Sequence, residues 1–336
     1  MFKIIRKQLS AICGLLNEYH HWPLVLNNRA LIHRSLSTKS AEPSEQIQAK
    51  PSFHLVTAFS GFSKDWLNTN HPVTVNQQKF TIGDDSWFVA NKKCADVLGV
   101  ADGVGGWREM GVDPSKFSSN LMKQCKRIVE QEDGVFSQSE NLSERTPLDI
   151  LVQSYSCLVE SKDQSLIGSS TACVIVFNRE SRILYSANLG DSGFVIIRNN
   201  KIVFRSQEQY HYFNAPFQLA LLPSMTDEEN LFSDKPQSAD VYSFQLVEGD
   251  LIVLATDGLW DNMSESHLLL KTSNIKDFYI EDMQQAAKNL ASFASELSQD
   301  PDYMSPFAYS ARKNGINFKG GKPDDITVLL ARVSKS

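Results

Sequence analysis

Aspartate recurs at the ends of apolar segments in this sequence, usually beside a glycine. The acids occur in the strings TIGDDSWF, GVADGVGGW, ANLGDSG, LATDGLWDN and KPDDITVLL, and few basic residues lie near them in sequence. A single Asp-Gly pair is most simply a turn, but several acids at strand ends of one domain can converge in a cleft. Converging carboxylates repel one another strongly at low dielectric. The pattern therefore predicts an acidic cleft, in which divalent cations compensate the negative charge of the aspartates.

The residue types around these acids restrict the choice of metal. Oxygen ligands without a histidine or cysteine cluster at metal-binding spacing favour Mg²⁺ or Mn²⁺ over zinc. Two such ions that share carboxylates can acidify a water and bind the oxygens of a phosphate. The sequence contains no GxxxxGK[ST], HExxH or GxSxG string. Hydrolysis of a phosphoester is therefore the predicted chemistry.

Short β-branched and aromatic segments predict the strands that would carry these acids. TACVIVF, RILYSANL, GFVIIR and KIVFRS follow one another, with brief polar turns at Asn178–Ser181 and at Asn199-Asn200. Turns this short leave no room for crossover helices, so the strands are expected to pair antiparallel. VYSFQL, DLIVLAT and ITVLLARV predict further strands towards the C-terminus.

Helical patterns precede and follow these strands. One helix is predicted over about Pro114–Gln131, and Thr146-Pro147 predicts the N-cap and first residue of a second helix. Later helices are predicted over Glu281–Leu297 and near Pro301–Arg312. This order indicates an α+β layered fold, in which helices pack on antiparallel sheets. One domain over residues 49–336 fits the order better than two.

Composition excludes several functional classes. The chain has 336 residues, of which 42% are hydrophobic, so it can bury a sizeable core. Its formal net charge of −6 argues against broad nucleic-acid binding. The five cysteines are scattered, which disfavours a disulfide framework or a zinc site. No run of residues is long and apolar enough for an integral membrane helix. The protein is also expected to be a monomer.

The N-terminal segment has a different composition from the rest. Met1–Ala41 holds six basic residues and one acid, and its apolar residues recur at helical spacing from Phe2 to Leu16. An amphipathic, arginine- and serine-bearing segment poor in acids is typical of a mitochondrial transit peptide. A disordered or membrane-surface arm is the alternative. Residues 1–48 are therefore expected to form a targeting segment and linker that directs the protein to mitochondria, and there to the matrix.

From about residue 53 to 336 the sequence resembles the type 2C (PPM-type) metal-dependent serine/threonine protein phosphatases. The strings GDDSWF, GVADGVGGW, SSTACVIV, ANLGDSG, GDLIVLATDGLWDN and KPDDITVLL carry the resemblance in this order. DGVGGW and QEQYHYFNAPFQL are most similar to the mitochondrial branch that includes the T-cell activation protein phosphatase. The resemblance implies a four-layer α-β-β-α sandwich, with two central antiparallel sheets flanked by helix pairs. It also implies phosphorylated protein substrates and a water activated by two ions of Mg²⁺ or Mn²⁺.

The resemblance assigns roles to individual residues. Asp102 matches the acid that bridges the two metals, and Gly103 matches the glycine whose carbonyl binds one of them. Asp85 matches an acid that holds metal-bound water, while Asp84 occupies a position where the family often has glutamate. Further metal ligands are implied at Asp257 and Asp324, with a weaker third ion at Asp191 and Asp261.

Two positions depart from the family pattern. Val104 replaces a histidine that is proposed as the general acid in many relatives, and valine cannot donate a proton. Phe80 stands where many relatives have a phosphate-binding arginine. These departures leave open a pseudophosphatase, in which the same fold serves as a binding module, and a small-molecule phosphoester hydrolase is a further alternative. His211 is predicted to be structural or to lie at the substrate edge, rather than to replace the missing proton donor.

Overall fold

The computed structural model describes residues 52–64, 81–131, 136, 142–223, 232–273, 275 and 280–335. The predicted targeting segment at residues 1–48 and Phe80 lie outside the described residues. All described residues belong to one compact unit, Lys50–Ser336.

Two large antiparallel sheets lie at the centre of this unit. In chain order, the described strands are β1 (Phe53–Phe62), β2 (Thr81–Ile82), β3 (Asp85–Asn91), β4 (Ala95–Asp102), β5 (Gly168–Ser170), β6 (Ala172–Asn178), β7 (Ile183–Leu189), β8 (Gly193–Arg198), β9 (Lys201–Arg205), β10 (Tyr210–Tyr212), β11 (Ala215–Pro216), β12 (Leu219–Leu221), β13 (Asp240–Gln245), β14 (Leu251–Ala255) and β15 (Ile326–Lys335). The first sheet has the strand order β13-β7-β6-β4-β3-β2 and the second has the order β1-β15-β14-β8-β9.

Helices cover the outer face of each sheet. The described α-helices are α1 (Pro114–Glu130), α2 (Thr146–Ser161), α3 (Asp257–Trp260), α4 (Glu265–Thr272), α5 (Ile280–Ser298) and α6 (Pro306–Lys313). None of the described helices is long and apolar enough to cross a membrane.

Three apolar clusters define the layers. Side chains alternate along each strand, so Val174 faces α1 and α2 while its neighbour Ile175 faces the other sheet. In β14, Val253 packs towards α4 and α5 while Ile252 packs between the sheets. The predicted four-layer α-β-β-α sandwich is therefore confirmed.

Most predicted elements agree with the structure, and the exceptions are at helix starts. The cap prediction at Thr146 is wrong by one residue: Arg145 occupies the cap position, and the Thr146 hydroxyl accepts a hydrogen bond from the Ser143 amide at 3.0 Å. The last helix begins at Pro306 and not near Pro301, because the Ser305 side chain caps it by accepting from the Ala308 amide at 3.0 Å.

The predicted hairpin at Asn199-Asn200 is confirmed. Both asparagines have positive φ, at 51° and 57°, as a two-residue turn of the mirror-image type requires. The turn joins β8 directly to β9.

Candidate active site

One end of the sandwich carries the aspartates that the sequence singles out. β3 begins at Asp85 directly opposite Asp102, the last residue of β4. In the other sheet, Ala255 at the end of β14 pairs with Gly193 at the start of β8 and with Val328 near the start of β15. Loops that leave these strand ends therefore bring acids from both sheets to one place.

Three carboxylates form the centre of this site. One oxygen from each of Asp102, Asp191 and Asp257 lies within 4.8 Å of the other two. Asp191 and Asp257 are buried, whereas Asp102 is partly exposed. Because the cluster is open at Asp102, a ligand that enters from solvent can reach it.

Asp85 lies behind the cluster and links the two sheets. Its side chain is fully buried, and its Oδ2 accepts a hydrogen bond from the Thr256 hydroxyl at 2.7 Å. The Thr256 oxygen in turn accepts from the Thr327 amide at 3.0 Å. These bonds fix the orientation of the Asp85 carboxylate across the sandwich.

Asp324 lies beside this cluster, and its neighbour Asp325 has a structural role. The Asp325 carboxylate accepts from the Lys64 amide at 2.9 Å and from the Asp84 amide at 2.8 Å. The Asp325 amide donates to Asp324 Oδ1 at 2.9 Å. Asp325 thus joins the start of β15 to the residues before β3 and orients Asp324.

Glycine is required at two places where backbone segments approach closely. A Cβ on Gly103 would lie 2.7 Å from the Pro114 carbonyl oxygen and 2.8 Å from that of Asp84. A Cβ on Gly258 would lie 2.0 Å from the Asp325 carbonyl oxygen. The Asp-Gly pairs at 102 and 257 therefore allow close packing at the site itself, in addition to forming turns.

In the part of the chain that the structure describes, three basic residues contact the acids, which corrects the expectation that few would compensate them. Lys322 Nζ lies 2.5 Å from Asp257 Oδ2 and 2.7 Å from Asp261 Oδ2. Lys64 Nζ lies 3.2 Å from Asp84 and 3.4 Å from Asp324, and Arg108 forms an ion pair with Asp84.

One of these basic residues could have been predicted from the sequence, whereas the other two could not. Lys322 precedes Asp324 by two positions in the string GGKPDD, so it could have been included in the site. Lys64 is distant from Asp324 along the chain and meets it only through the tertiary fold. Arg108 lies on a short 3-10 helix, Gly105–Met110, that follows the β4 acid.

Burial and mutual repulsion raise the pKa of several of these carboxyls. Burial, followed by the charge of Asp325, raises the pKa of Asp85 well above its ordinary value. Burial, followed by the charge of Asp257, does the same to the pKa of Asp102 and of Asp191. Burial acts to raise the pKa of Asp257, but the charge and hydrogen bond of Lys322, together with hydrogen bonding to Asp102 and Asp261, lower it below its ordinary value. The cluster therefore resists full ionisation until further cations are supplied.

The donor set fits hard divalent ions. Among the described residues, one carboxylate oxygen of each of Asp85, Asp191 and Asp257 is buried without a hydrogen-bond partner. A buried polar atom without a partner is costly, and a cation with oxygen ligands removes that cost. The side chains present here can therefore hold Mg²⁺ or Mn²⁺.

Residues near the cluster have supporting roles. The Thr171 hydroxyl accepts from the Asp102 amide at 3.0 Å. Trp107 is buried and donates to the Ser169 hydroxyl at 2.7 Å. His211 contacts Asp234 at 2.9 Å and stacks on two phenylalanine rings. His211 is therefore a packed structural residue, in agreement with the structural role predicted for it.

A cavity of about 320 Å³ adjoins the cluster on its Asp261 side. Its walls are rich in aromatic rings, which are supplied by Tyr210, Tyr212, Phe213, Trp260 and Phe307. The charges along this wall are paired within the protein, since Arg205 meets Glu208 at 3.0 Å. The surface beside the acidic cluster therefore combines aromatic rings with polar side chains such as Asn214, Ser310 and Asn314.

Comparison with known proteins identifies the family. A family model described as Stage II sporulation protein E (SpoIIE) matches residues 138–334. A Homo sapiens relative named "Protein phosphatase PTC7 homolog" is 48% identical over 283 residues, which cover 84% of this chain and 88% of the relative. The chain belongs to the PP2C (PPM-type) protein phosphatase family. The expected resemblance and the expected enzyme class are both confirmed.

Further relatives and solved structures agree with this assignment. The Drosophila melanogaster "Protein phosphatase PTC7 homolog fig" is 39% identical over 318 residues, covering 93% of this chain and 96% of the relative. The X-ray structure of the photosystem II phosphatase PBCP is 27% identical, with a TM-score of 0.65, and covers 84% of this chain and 99% of that chain. A serine/threonine phosphatase from S. agalactiae, 15% identical with a TM-score of 0.54, covers 84% of this chain and 100% of that chain, and shares the fold.

Proposed function

We propose that this chain hydrolyses phosphoserine and phosphothreonine in proteins and depends on Mg²⁺ or Mn²⁺. One observation carries the proposal: oxygens of Asp102, Asp191 and Asp257 converge within 4.8 Å, in a chain of the PP2C family. A cluster this tight is unfavourable without cations, and hard ions with oxygen ligands suit hydrolysis of phosphate esters.

The proposed metal ligands come from both sheets. Asp102 ends β4 and the Gly103 carbonyl follows it, whereas Asp257 follows β14 and Asp324 precedes β15. Asp85 supports them from behind, where its Oδ1 has no hydrogen-bond partner. Asp191 belongs to the same cluster, whereas Asp261 Oδ2 accepts a hydrogen bond from the Lys322 ammonium.

Each side chain of the site has a separate role in the proposed reaction. Bound divalent ions would acidify water and neutralise the charge that develops on the phosphoryl oxygens. Asp102 and Asp257 would hold the ions, and the Thr256 hydroxyl keeps the Asp85 carboxylate in its orientation. Arg108 is half-exposed at the rim and can meet a phosphoryl oxygen that arrives from solvent. Val104 offers no proton, so the leaving oxygen takes its proton from water.

The test is phosphate release by the full chain from phosphoserine and phosphothreonine peptides in Mn²⁺. We expect activity that chelation removes and that Asp102→Asn lowers by at least about a hundredfold, because the change removes a charge that is central to the cluster. A folded, metal-binding protein without activity on either peptide would refute the proposal and favour a binding module. Activity confined to small phosphoesters would refute its protein substrate.

We also propose that residues 1–48 direct the remaining domain, residues 49–336, to the mitochondrial matrix. The support is the positive charge and amphipathic spacing of that segment. A fluorescent fusion should reach mitochondria, and the triple change Lys3→Glu, Arg6→Glu and Lys7→Glu should leave it outside. Unchanged targeting of the triple variant would contradict the proposal. We further propose that the protein acts as a monomer, which its mass in solution tests.

A further inference from the structure

Lys322 is the most enclosed cation of the site, and the proposed reaction does not use it. Its ammonium contacts Asp257 at 2.5 Å, Asp261 at 2.7 Å and Asp324 at 3.4 Å. Its side chain is only 18% exposed. The ammonium donates hydrogen bonds to Asp257 and Asp261 and forms a longer ion pair with Asp324.

The backbone and a neighbouring ring fix Lys322 independently of these acids. The Asn262 side chain accepts from the Lys322 amide at 2.8 Å and donates to the Lys322 carbonyl at 2.8 Å. The Phe307 ring lies 5.1 Å from Nζ, at cation–π distance. Asn262 therefore fixes the backbone of Lys322, and the Phe307 ring adds a contact to its ammonium beside the carboxylates.

Asp261 is fixed from the same side. Its carbonyl accepts from the Phe307 amide at 3.0 Å, and its own amide donates to the Asp257 carbonyl at 2.7 Å. Its carboxylate contacts the Lys322 ammonium. Among the described residues, the cluster of carboxylate oxygens within 4.8 Å of one another is formed by Asp102, Asp191 and Asp257 and does not include Asp261. The Asp261 side of the cleft thus already contains a positive charge.

We infer that the Lys322 ammonium takes the place that a third divalent ion would need on the Asp261 side, so that the chain binds two ions and not three. The inference deepens the proposed function and rests on it. A divalent ion at this position would have to displace the ammonium from Asp257 and Asp261, or bring two further positive charges beside it. Lys322 therefore sets the number of ions and holds the Asp257 carboxylate in place for the two that bind.

The experiment counts Mn²⁺ ions bound to the full chain by equilibrium dialysis and elemental analysis. We expect two ions for the wild type and for Lys322→Arg, which keeps the charge, and three for Lys322→Met, with the added ion bound at least tenfold more weakly. Lys319→Met is the matched control: it removes the same charge from an exposed lysine paired with Asp302, and it should bind two ions. Three ions in the wild type, or two in a folded Lys322→Met protein, would overturn the inference.

A second variant tests the inference if Lys322→Met fails to fold. Asp261→Asn keeps the lysine and removes the acid, so it should still bind two ions with unchanged affinity. Loss of an ion from Asp261→Asn would show that Asp261 is a metal ligand and would overturn the inference. The proposed function fails separately, if a wild-type protein with two bound ions releases no phosphate from peptides.

Discussion

Asp102→Asn is expected to stabilise the metal-free protein, although it should abolish most of the activity. Oxygens of Asp102, Asp191 and Asp257 lie within 4.8 Å of one another, and two unit charges at that distance repel by about 3 kcal/mol at an effective dielectric constant near 20. Proton uptake relieves part of this repulsion, because burial and then Asp257 already raise the pKa of Asp102. We therefore expect a net gain of about 2 kcal/mol in the free energy of unfolding.

The assay is thermal unfolding of the full chain with EDTA and with Mn²⁺, followed by the fluorescence of its tryptophans. About 2 kcal/mol should raise the midpoint of Asp102→Asn in EDTA by roughly 3 °C, since about 2.1 cal/mol/K per residue gives an unfolding entropy of about 0.6 kcal/mol/K for a domain of this size. In Mn²⁺ the order should reverse, because the wild type gains about 2.7 kcal/mol at a hundred times its dissociation constant and the variant gains less.

Asp96→Asn is the matched control, because it makes the same chemical change at another buried acid. Asp96 pairs with Arg179 and accepts from the Leu55 amide at 2.8 Å. Its loss should destabilise the protein by about 2 kcal/mol in EDTA and in Mn²⁺ alike. A midpoint for Asp102→Asn at or below that of the wild type in EDTA would refute the repulsion argument.

Three further predictions concern the core, the substrate surface and the thiols. Thr256→Val should lower the free energy of unfolding by about 2–4 kcal/mol in urea titrations, since Asp85 loses its donor and a buried amide its acceptor; Thr256→Ser should lose less. Tyr212→Ala should raise KM for phosphopeptides several-fold and leave p-nitrophenyl phosphate hydrolysis unchanged, because Tyr212 lines the cavity beside the site; Tyr309→Ala, an exposed ring outside that cavity, should change neither. Burial raises the pKa of Cys125 to about 12, so mass spectrometry should show this thiol unmodified by iodoacetamide at pH 8 until the protein unfolds.

Local patterns in the sequence predicted most of the fold, because alternation and turn residues report directly on strands. Val174 and Ile175 face opposite layers, as period-two alternation requires. The error at Thr146 arose because a threonine before proline is a good cap in isolation, while the tertiary structure uses its hydroxyl for the preceding turn.

The acids of the site could be predicted because they follow strands and stand beside glycines. Which of them lie close together could not be derived from that pattern, because Asp102 ends a strand of one sheet while Asp257 follows a strand of the other. Lys64 was missed for the same reason, because it meets its acids only when β1 pairs with β15. Spacing along the chain predicts which residues reach a sheet edge, whereas the packing of the two sheets decides which charges meet there.

The division of the acids between the sheets has a consequence for how the protein loses function. An ion shared by Asp102 and Asp257 would act as a removable cross-link between the two halves of the sandwich. Separation of the sheets would disperse the ligands of such an ion in a single event, so global unfolding of the metal-bound protein should release the ion at the same time. The metal site would then also stabilise the packing of the two sheets against each other.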